Sequence, residues 1–239
     1  MIYRYLLFAV LTAFSTFSLA EKITAQSWLV ADEHGDIIAA ENIKEVRSIA
    51  SITKIVSAMV VLDAQQELDQ FIKPYTRKEL IQLSMVRSDN AAADTLCRHY
   101  PGGYANCVYA MNVKAQALGL NNTRFVDATG LAQGNVSTAE ELIKIVQAAA
   151  DYPELVQASK MAEVKIQLKK RWLIFRNTNP IIGRKHEFVI SKTGWIRASG
   201  GCIVMILDTD VGRRIVIVLG SKNTHTRIPE AEFIAQIRN

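Results

Sequence analysis

The first pair of groups that could act together is Ser51 and Lys54, in the run Ser51-Ile52-Thr53-Lys54. On a helix, positions three apart share a face, so this spacing sets the Lys54 amine beside the Ser51 hydroxyl. A Ser hydroxyl is a weak nucleophile until a neighbouring base takes its proton. A Lys becomes such a base when burial and nearby cations lower its pKa. The flanking residues favour burial. Ile52, Ile55, Val56, Ala58, Met59, Val60, Val61 and Leu62 leave the segment apolar almost all round, the pattern of a helix at a domain centre. Ser51 at the start of that helix would also sit where the helix dipole favours developing negative charge.

Two further triplets could face this pair. Ser88-Asp89-Asn90 opens an Ala-rich segment. All three residue types cap helices, while the chemical reading has Ser88 relay a proton and Asn90 hold a substrate amide. Lys192-Thr193-Gly194 follows the apolar strand Phe188-Val189-Ile190. A strand edge can pair with an extended peptide through its main chain. Thr193 could hold a carboxylate, and Gly194 would remove a side chain where a ligand must approach.

Complete and in this order, the three motifs resemble those of penicillin-binding proteins and class A β-lactamases. The likeness continues through Arg47–Lys54 with Ala58–Ala64, His99–Tyr104, Asn122–Val126 and Phe175–Asn179. It is greatest to the low-molecular-mass penicillin-binding proteins, the serine D-Ala-D-Ala peptidases, and among these to the endopeptidases. The resemblance implies a role for each matching position. Ser51 would be acylated by the peptide after D-Ala, with Lys54 as its base. Ser88 and Lys192 would carry the proton to the leaving amine, and Asn90 would position the substrate amide. The backbone N–H groups of Ser51 and Trp195 would form the oxyanion hole. Thr193 and Arg176 resemble the pair that grips the terminal carboxylate, a task that suits the bidentate geometry of Arg. Peptidoglycan peptides are the implied partners and β-lactams the implied covalent inhibitors; no cofactor or metal is implied.

Three features depart from the family pattern. The stretch from Ser51 to Ser88 is short, with Gln70–Tyr75 in place of a longer excursion. Ala128-Thr129-Gly130-Leu131 replaces the usual Pro-Thr-Gly-Leu. The sequence closes soon after its last expected helix, so an extra C-terminal domain or membrane-binding tail is not expected. Carboxypeptidase and endopeptidase both remain open. A β-lactamase would need a base to activate water for deacylation, and the Glu-x-x-Leu-Asn pattern that supplies it in class A enzymes is missing. A β-lactam should therefore acylate Ser51 and leave slowly. The remaining alternative is a non-hydrolytic penicillin- or muropeptide-binding protein, against which the complete motifs argue.

The elements that must position these groups follow from patterning. Ser27–Val30 and Ile37–Ala40 flank the turn-prone Asp32–Asp36 and read as a hairpin. Residues 51–66, 78–99 and 103–118 read as helices, with Gly119 stopping the last of them. Thr138 and Glu141 have capping-box spacing at the head of another. After residue 160 the period switches to that of strands: Glu187–Ser191, Cys202–Asp208 and Arg214–Gly220 are strand-like, and residues 228–238 read as a closing helix. Strands at both ends with helices between predict an α/β chain of α+β type. Its five-stranded antiparallel sheet would be flanked by helices and joined to an all-helical lobe, as in the β-lactamase and transpeptidase folds.

Residues 1–20 read as a secretory signal, with Arg4 before a short apolar stretch and Ser18-Leu19-Ala20 at the cleavage site. Residues 21–239 would then form a single two-lobed domain in the periplasm, with no stable membrane anchor once the signal is cut. Export permits a disulfide. Cys97 and Cys107 flank the turn Pro101-Gly102-Gly103, and two antiparallel helices there could bring them together, although spacing alone does not supply the geometry. The three Cys and four His match no zinc pattern. The net charge of +5, from 28 Lys+Arg against 23 Asp+Glu, is dispersed apart from Lys169-Lys170-Arg171. Scattered charge of this kind argues against nucleic acid and suits an anionic polymer such as cell wall.

Overall fold

The computed structural model describes residues 23–184 and 186–236. The expected signal lies outside them, as do the last residues of the expected closing helix. The chain begins with the hairpin β1 (Ser27–Ala31) and β2 (Ile37–Glu41). A short strand β3 (Arg47–Ser48) and a 3-10 turn (Ala50–Ile52) lead into α1 (Thr53–Asp63). The short strands β4 (Phe71–Ile72) and β5 (Tyr75–Thr76) follow, paired with each other. They occupy the position where the sequence lacks the longer excursion.

The helical lobe continues with α2 (Arg77–Gln82), a π-helical turn (Leu83–Arg87), α3 (Asn90–Arg98) and α4 (Gly103–Ala117). The helical stretch expected over 78–99 is thus broken at Ser88 and Asp89. A disulfide joins Cys97 to Cys107 across the turn between α3 and α4. The short strand β6 (Val136–Ser137) pairs with β3 and precedes α5 (Ala139–Ala149) and α6 (Pro153–Lys160). Then come the hairpin β7 (Glu163–Leu168) and β8 (Arg171–Arg176), the strands β9 (Glu187–Ile196), β10 (Gly200–Thr209) and β11 (Gly212–Ser221), and α7 (Arg227–Ala235).

The main sheet is five-stranded and antiparallel, in the order β2-β1-β11-β10-β9, with the first hairpin completing strands from the far end of the chain. Its inner strands read as apolar runs because both faces are covered. Leu29, Ile190, Val204, Ile206, Ile217 and Leu219 face the helical lobe. Trp28, Val30, Ile203, Met205, Val216 and Val218 face α7 on the other side. Alternate residues of each strand thus enter two separate cores, as the two-residue period of a strand requires. The helix α1 threads the first core, with Thr53 through Val61 buried, Lys54 among them.

Glu141 departs from its expected role. Thr138 caps α5 by accepting a hydrogen bond from the Glu141 N–H at 3.1 Å. The Glu141 carboxylate does not close a capping box. It accepts instead from the backbone N–H groups of Asn121 and Asn122 and from the Thr123 hydroxyl. The turn after α4 leaves backbone donors without main-chain partners, and this carboxylate accepts from them. A complete capping box occurs at Thr76 and Glu79, at the head of α2.

Candidate active site

The turn that carries Ser51 is shaped by close approach from both sides. Ala50 lies in the left-handed region at φ 46°, which is uncommon without a glycine. A methyl group on Gly130 would collide with the Ala50 carbonyl. One on Gly194 would stand 2.9 Å from the Ser51 nitrogen and 3.0 Å from the Ile49 oxygen. Gly194, expected to make room for a ligand, lines the cleft and also makes room for the backbone beneath Ser51.

Lys54 stands one turn along, and its side chain is wholly buried. Its Nζ donates to Ser51 Oγ at 2.7 Å, Asn90 Oδ1 at 2.7 Å and the Thr129 carbonyl at 2.6 Å. Burial lowers the Lys54 pKa to about 8, against the opposing pull of Asp127 and Asp89. Roughly a tenth of such a group is free base at pH 7.

Asn90 arrives at this point because the preceding helix loses its register. The π-helical turn ends at Ser88, which takes the left-handed conformation at φ 60°. Departures of this kind concentrate at functional sites. Asp89 then caps α3 through its side chain, which accepts from the Ala92 N–H. The capping reading of the triplet is realised by Asp89, while Ser88 and Asn90 face the cleft.

Lys192, Thr193, Gly194 and Trp195 lie within β9 rather than past its end, opposite Val204, Ile203, Cys202 and Gly201 of β10. Within the sheet β9 is an edge strand. Lys192 is buried, and its Nζ donates to Ser88 Oγ and to the Thr193 carbonyl, both at 2.8 Å. Burial pushes its pKa well down, and the nearby positive charges of Lys54 and Arg227 push it further. Two hydroxyl–amine pairs, Ser51 with Lys54 and Ser88 with Lys192, thus face one cleft. The cleft has a volume of about 240 Å³ and is lined by Ser51, Ser88, Asn90, Leu131, Thr178, Thr193, Gly194, Trp195, Thr224 and Arg227. A wider hollow of about 610 Å³ beside Tyr100, Tyr109 and Val113 offers no such pair: its Lys114 is bound to Asp63 and Tyr152.

Arg176, expected to pair with Thr193, ends β8 opposite Glu163, is exposed, and is not among the residues that line the cleft. The Thr193 hydroxyl donates to Thr178 Oγ1 at 2.7 Å instead. The guanidinium beside this pair belongs to Arg227, at the first position of α7. It is buried, donates from Nη1 to the Gly194 carbonyl at 2.7 Å, and has an Nε without a hydrogen-bond partner. Sequence reasoning missed Arg227 because its contact with β9 is made across the sheet and not along the chain. An Arg at the head of a helix whose next residue is apolar was the one available signal.

The loop bearing Thr129 is built around Asp127. Its carboxylate accepts from the N–H groups of Thr129, Gly130 and Ala132, the Thr129 hydroxyl and the Asn135 amide. Burial alone would raise its pKa, but these donors together hold it below the usual carboxylate value. The loop keeps its shape although Ala128 stands where the family pattern has Pro.

With this geometry in place, the chain can be set beside known proteins. Residues 14–73 and 70–223 match the D-alanyl-D-alanine carboxypeptidase (peptidase S11) family, and the chain belongs to it. The two matched segments meet at the short β4–β5 turn. A D-alanyl-D-alanine endopeptidase of Escherichia coli K12 is 36% identical, over 90% of this chain and 77% of its own. One from Pseudomonas aeruginosa is 34% identical, over 89% and 76%. Among solved structures, penicillin-binding protein D2 of Listeria monocytogenes in its cefotaxime-bound form shares the fold. It has a TM-score of 0.78 and 24% identity, and the match covers 89% of this chain and 96% of that one.

Asp127 is joined to Lys54 by hydrogen bonds through Thr129, so its effect should be visible as a change in pH profile. Its negative charge favours the protonated form of Lys54, and removing that charge lowers the Lys54 pKa. In Asp127→Asn the acid limb of kcat/KM for acylation should move to lower pH, while the plateau falls because the loop loses acceptors. An unmoved limb with a lowered plateau would mean that Asp127 acts on the fold alone.

Proposed function

We propose that this chain is a serine D-Ala-D-Ala peptidase that cuts peptidoglycan stem peptides through an acyl-enzyme on Ser51. The observation that carries the reading is the 2.7 Å contact from Lys54 Nζ to Ser51 Oγ, made by a wholly buried amine. In the free-base form Lys54 takes the Ser51 proton as Oγ attacks the D-Ala carbonyl carbon. The backbone N–H groups of Ser51 and Trp195 receive the developing oxyanion, and losing one such donor typically costs about 2.7–4 kcal/mol of barrier. As the C–N bond breaks, Ser88 passes a proton to the leaving amine, with Lys192 behind it. Asn90 orients the substrate amide. Water then cleaves the Ser51 ester and releases the shortened peptide.

The peptide would lie along the outer edge of β9, with its terminal carboxylate toward Thr193 and Arg227. The place of Arg227 in the cleft lining, with Thr193 and Thr178, supports this placement. Cutting of cross-links is the reading we favour, since both relatives above are named as endopeptidases. The Cys97–Cys107 bridge suits an oxidising compartment, and we place the work of the enzyme in the periplasm. Among the described residues, no Glu lines the cleft, and the Glu141 carboxylate is spent on residues 121–123. A β-lactam ester on Ser51 should therefore persist.

Digestion of purified peptidoglycan, read by mass, tests the proposal. Wild type should convert cross-linked dimers to monomers, and Ser51→Ala should leave them intact and fail to form a penicillin adduct. Full activity in Ser51→Ala, or rapid turnover of a chromogenic β-lactam by wild type, would overturn the assignment. A second comparison tests the carboxylate partner. Arg227→Gln should lower kcat/KM on peptides ending in D-Ala by roughly 10–100-fold, the scale of a lost charge-assisted hydrogen bond, while Arg176→Gln leaves it nearly unchanged. The reverse ranking would restore Arg176.

A further inference from the structure

The hairpin of β7 and β8 has two unlike faces. Val164 and Ile166 are buried, with Phe175 packed against the same core. The opposite face carries Trp172 at 63% exposure and Ile174 at 56%, while Leu173 between them points to the side of Ile166. Trp172 and Ile174 point to the same side because strand residues two apart share a face, and Gln167 and Lys165 stand opposite them on β7. Single exposed apolar residues are ordinary on protein surfaces. Two large ones side by side on one face of a hairpin, ringed by cations, are a candidate contact surface.

The charge around this patch is of one sign. Lys169, Lys170 and Arg171 form the tip, Lys165 and Arg176 flank the apolar pair, and all five are exposed. Glu163 is the one acidic residue on the hairpin and is shared with Lys165 at 3.3 Å. Lys169 holds a left-handed φ of 56° at a hairpin turn where Gly or Asn is usually preferred. The dispersed charge of the chain is therefore locally concentrated here, beside exposed Trp and aliphatic side chains.

We propose that this hairpin face docks on an anionic phospholipid surface. Trp favours the headgroup level of a bilayer, the Ile174 side chain enters the acyl boundary beneath it, and each Lys or Arg gains from the negative leaflet. A polar glycan or peptide polymer would neutralise the cations but would leave Trp172 and Ile174 in contact with polar groups, so lipid accounts for more of the surface. The contact is peripheral and reversible, since the patch is small and needs charge to hold it. The hairpin runs through Asn177 into Thr178, which lines the cleft, so docking would hold the cleft close to the membrane.

The test is sedimentation of the protein, purified as the expressing cell processes it, with vesicles of phosphatidylcholine alone or with roughly one-third phosphatidylglycerol. Wild type should bind the anionic vesicles about tenfold more than the neutral ones and be released at about 0.5 M NaCl. Trp172→Ser with Ile174→Ser, and separately Lys169→Glu with Lys170→Glu, should each reduce binding about tenfold while penicillin labelling of Ser51 persists, reporting an intact fold. Equal binding to neutral vesicles, insensitivity to salt, or binding unchanged in both variants would overturn the proposal. So would retention on isolated peptidoglycan sacculi, lost in the same variants, without vesicle binding. The salt series on wild type needs no variant to fold.

Discussion

Two lysine side chains buried in one seam are the constraint around which the rest of the molecule is arranged. Taking an ammonium out of water is costly, and the cost is met by hydrogen bonds or by loss of the proton. Lys54 and Lys192 show both responses. Lys54 has three oxygen partners, one on its own turn, one on α3 and one on the Thr129 loop. Lys192 has two, one of them the hydroxyl of Ser88. The helical lobe and the sheet therefore meet where the lobe supplies acceptors for both lysines, Asn90 for Lys54 of α1 and Ser88 for Lys192 of the sheet. The apolar residues that cover both faces of the sheet and surround α1 keep water away. That dryness is what brings a lysine toward the proton affinity a general base needs.

The same seam collects the backbone irregularities. Ala50 and Ser88 both hold positive φ, and a π-helical turn precedes Ser88. Gly130 and Gly194 are glycines because the Ser51 turn passes against them, leaving no space for a Cβ. Such local costs persist only where the surroundings over-determine them. Here the surroundings include the Asp127 carboxylate with its cluster of donors and the pairing of β9 with β10. The site is held by main-chain geometry as much as by side chains, and the oxyanion hole proposed at the Ser51 and Trp195 N–H groups would draw on that fixed main chain.

Much of this was legible in the sequence. The three-residue spacing of Ser51 and Lys54 placed them on one face, and the apolar flanks said that Lys54 would be buried. Alternating and continuous apolar runs located the sheet strands, and the order of the three motifs identified the cleft. Other features were hidden because they depend on contacts between distant segments. Arg227 enters the site from the last helix, across the sheet, while Arg176 lies near Thr178 in sequence and yet outside the cleft. Glu141 has capping-box spacing, but four donors at residues 121–123 claim its carboxylate. The β7–β8 hairpin was visible only as a change of period, since its cationic tip lacks the usual Gly or Asn turn signal.

The central claim is that Lys54 is held in a dry seam as a base close to neutrality. Its side-chain pKa can be read directly by heteronuclear NMR titration of lysines labelled at the ε-carbon, with Lys54→Arg used to assign the resonance. The structure predicts a midpoint near 8. A midpoint at 10.5, the value of an unperturbed lysine, would contradict the account, because Lys54 would then remain protonated where Ser51 must lose its proton.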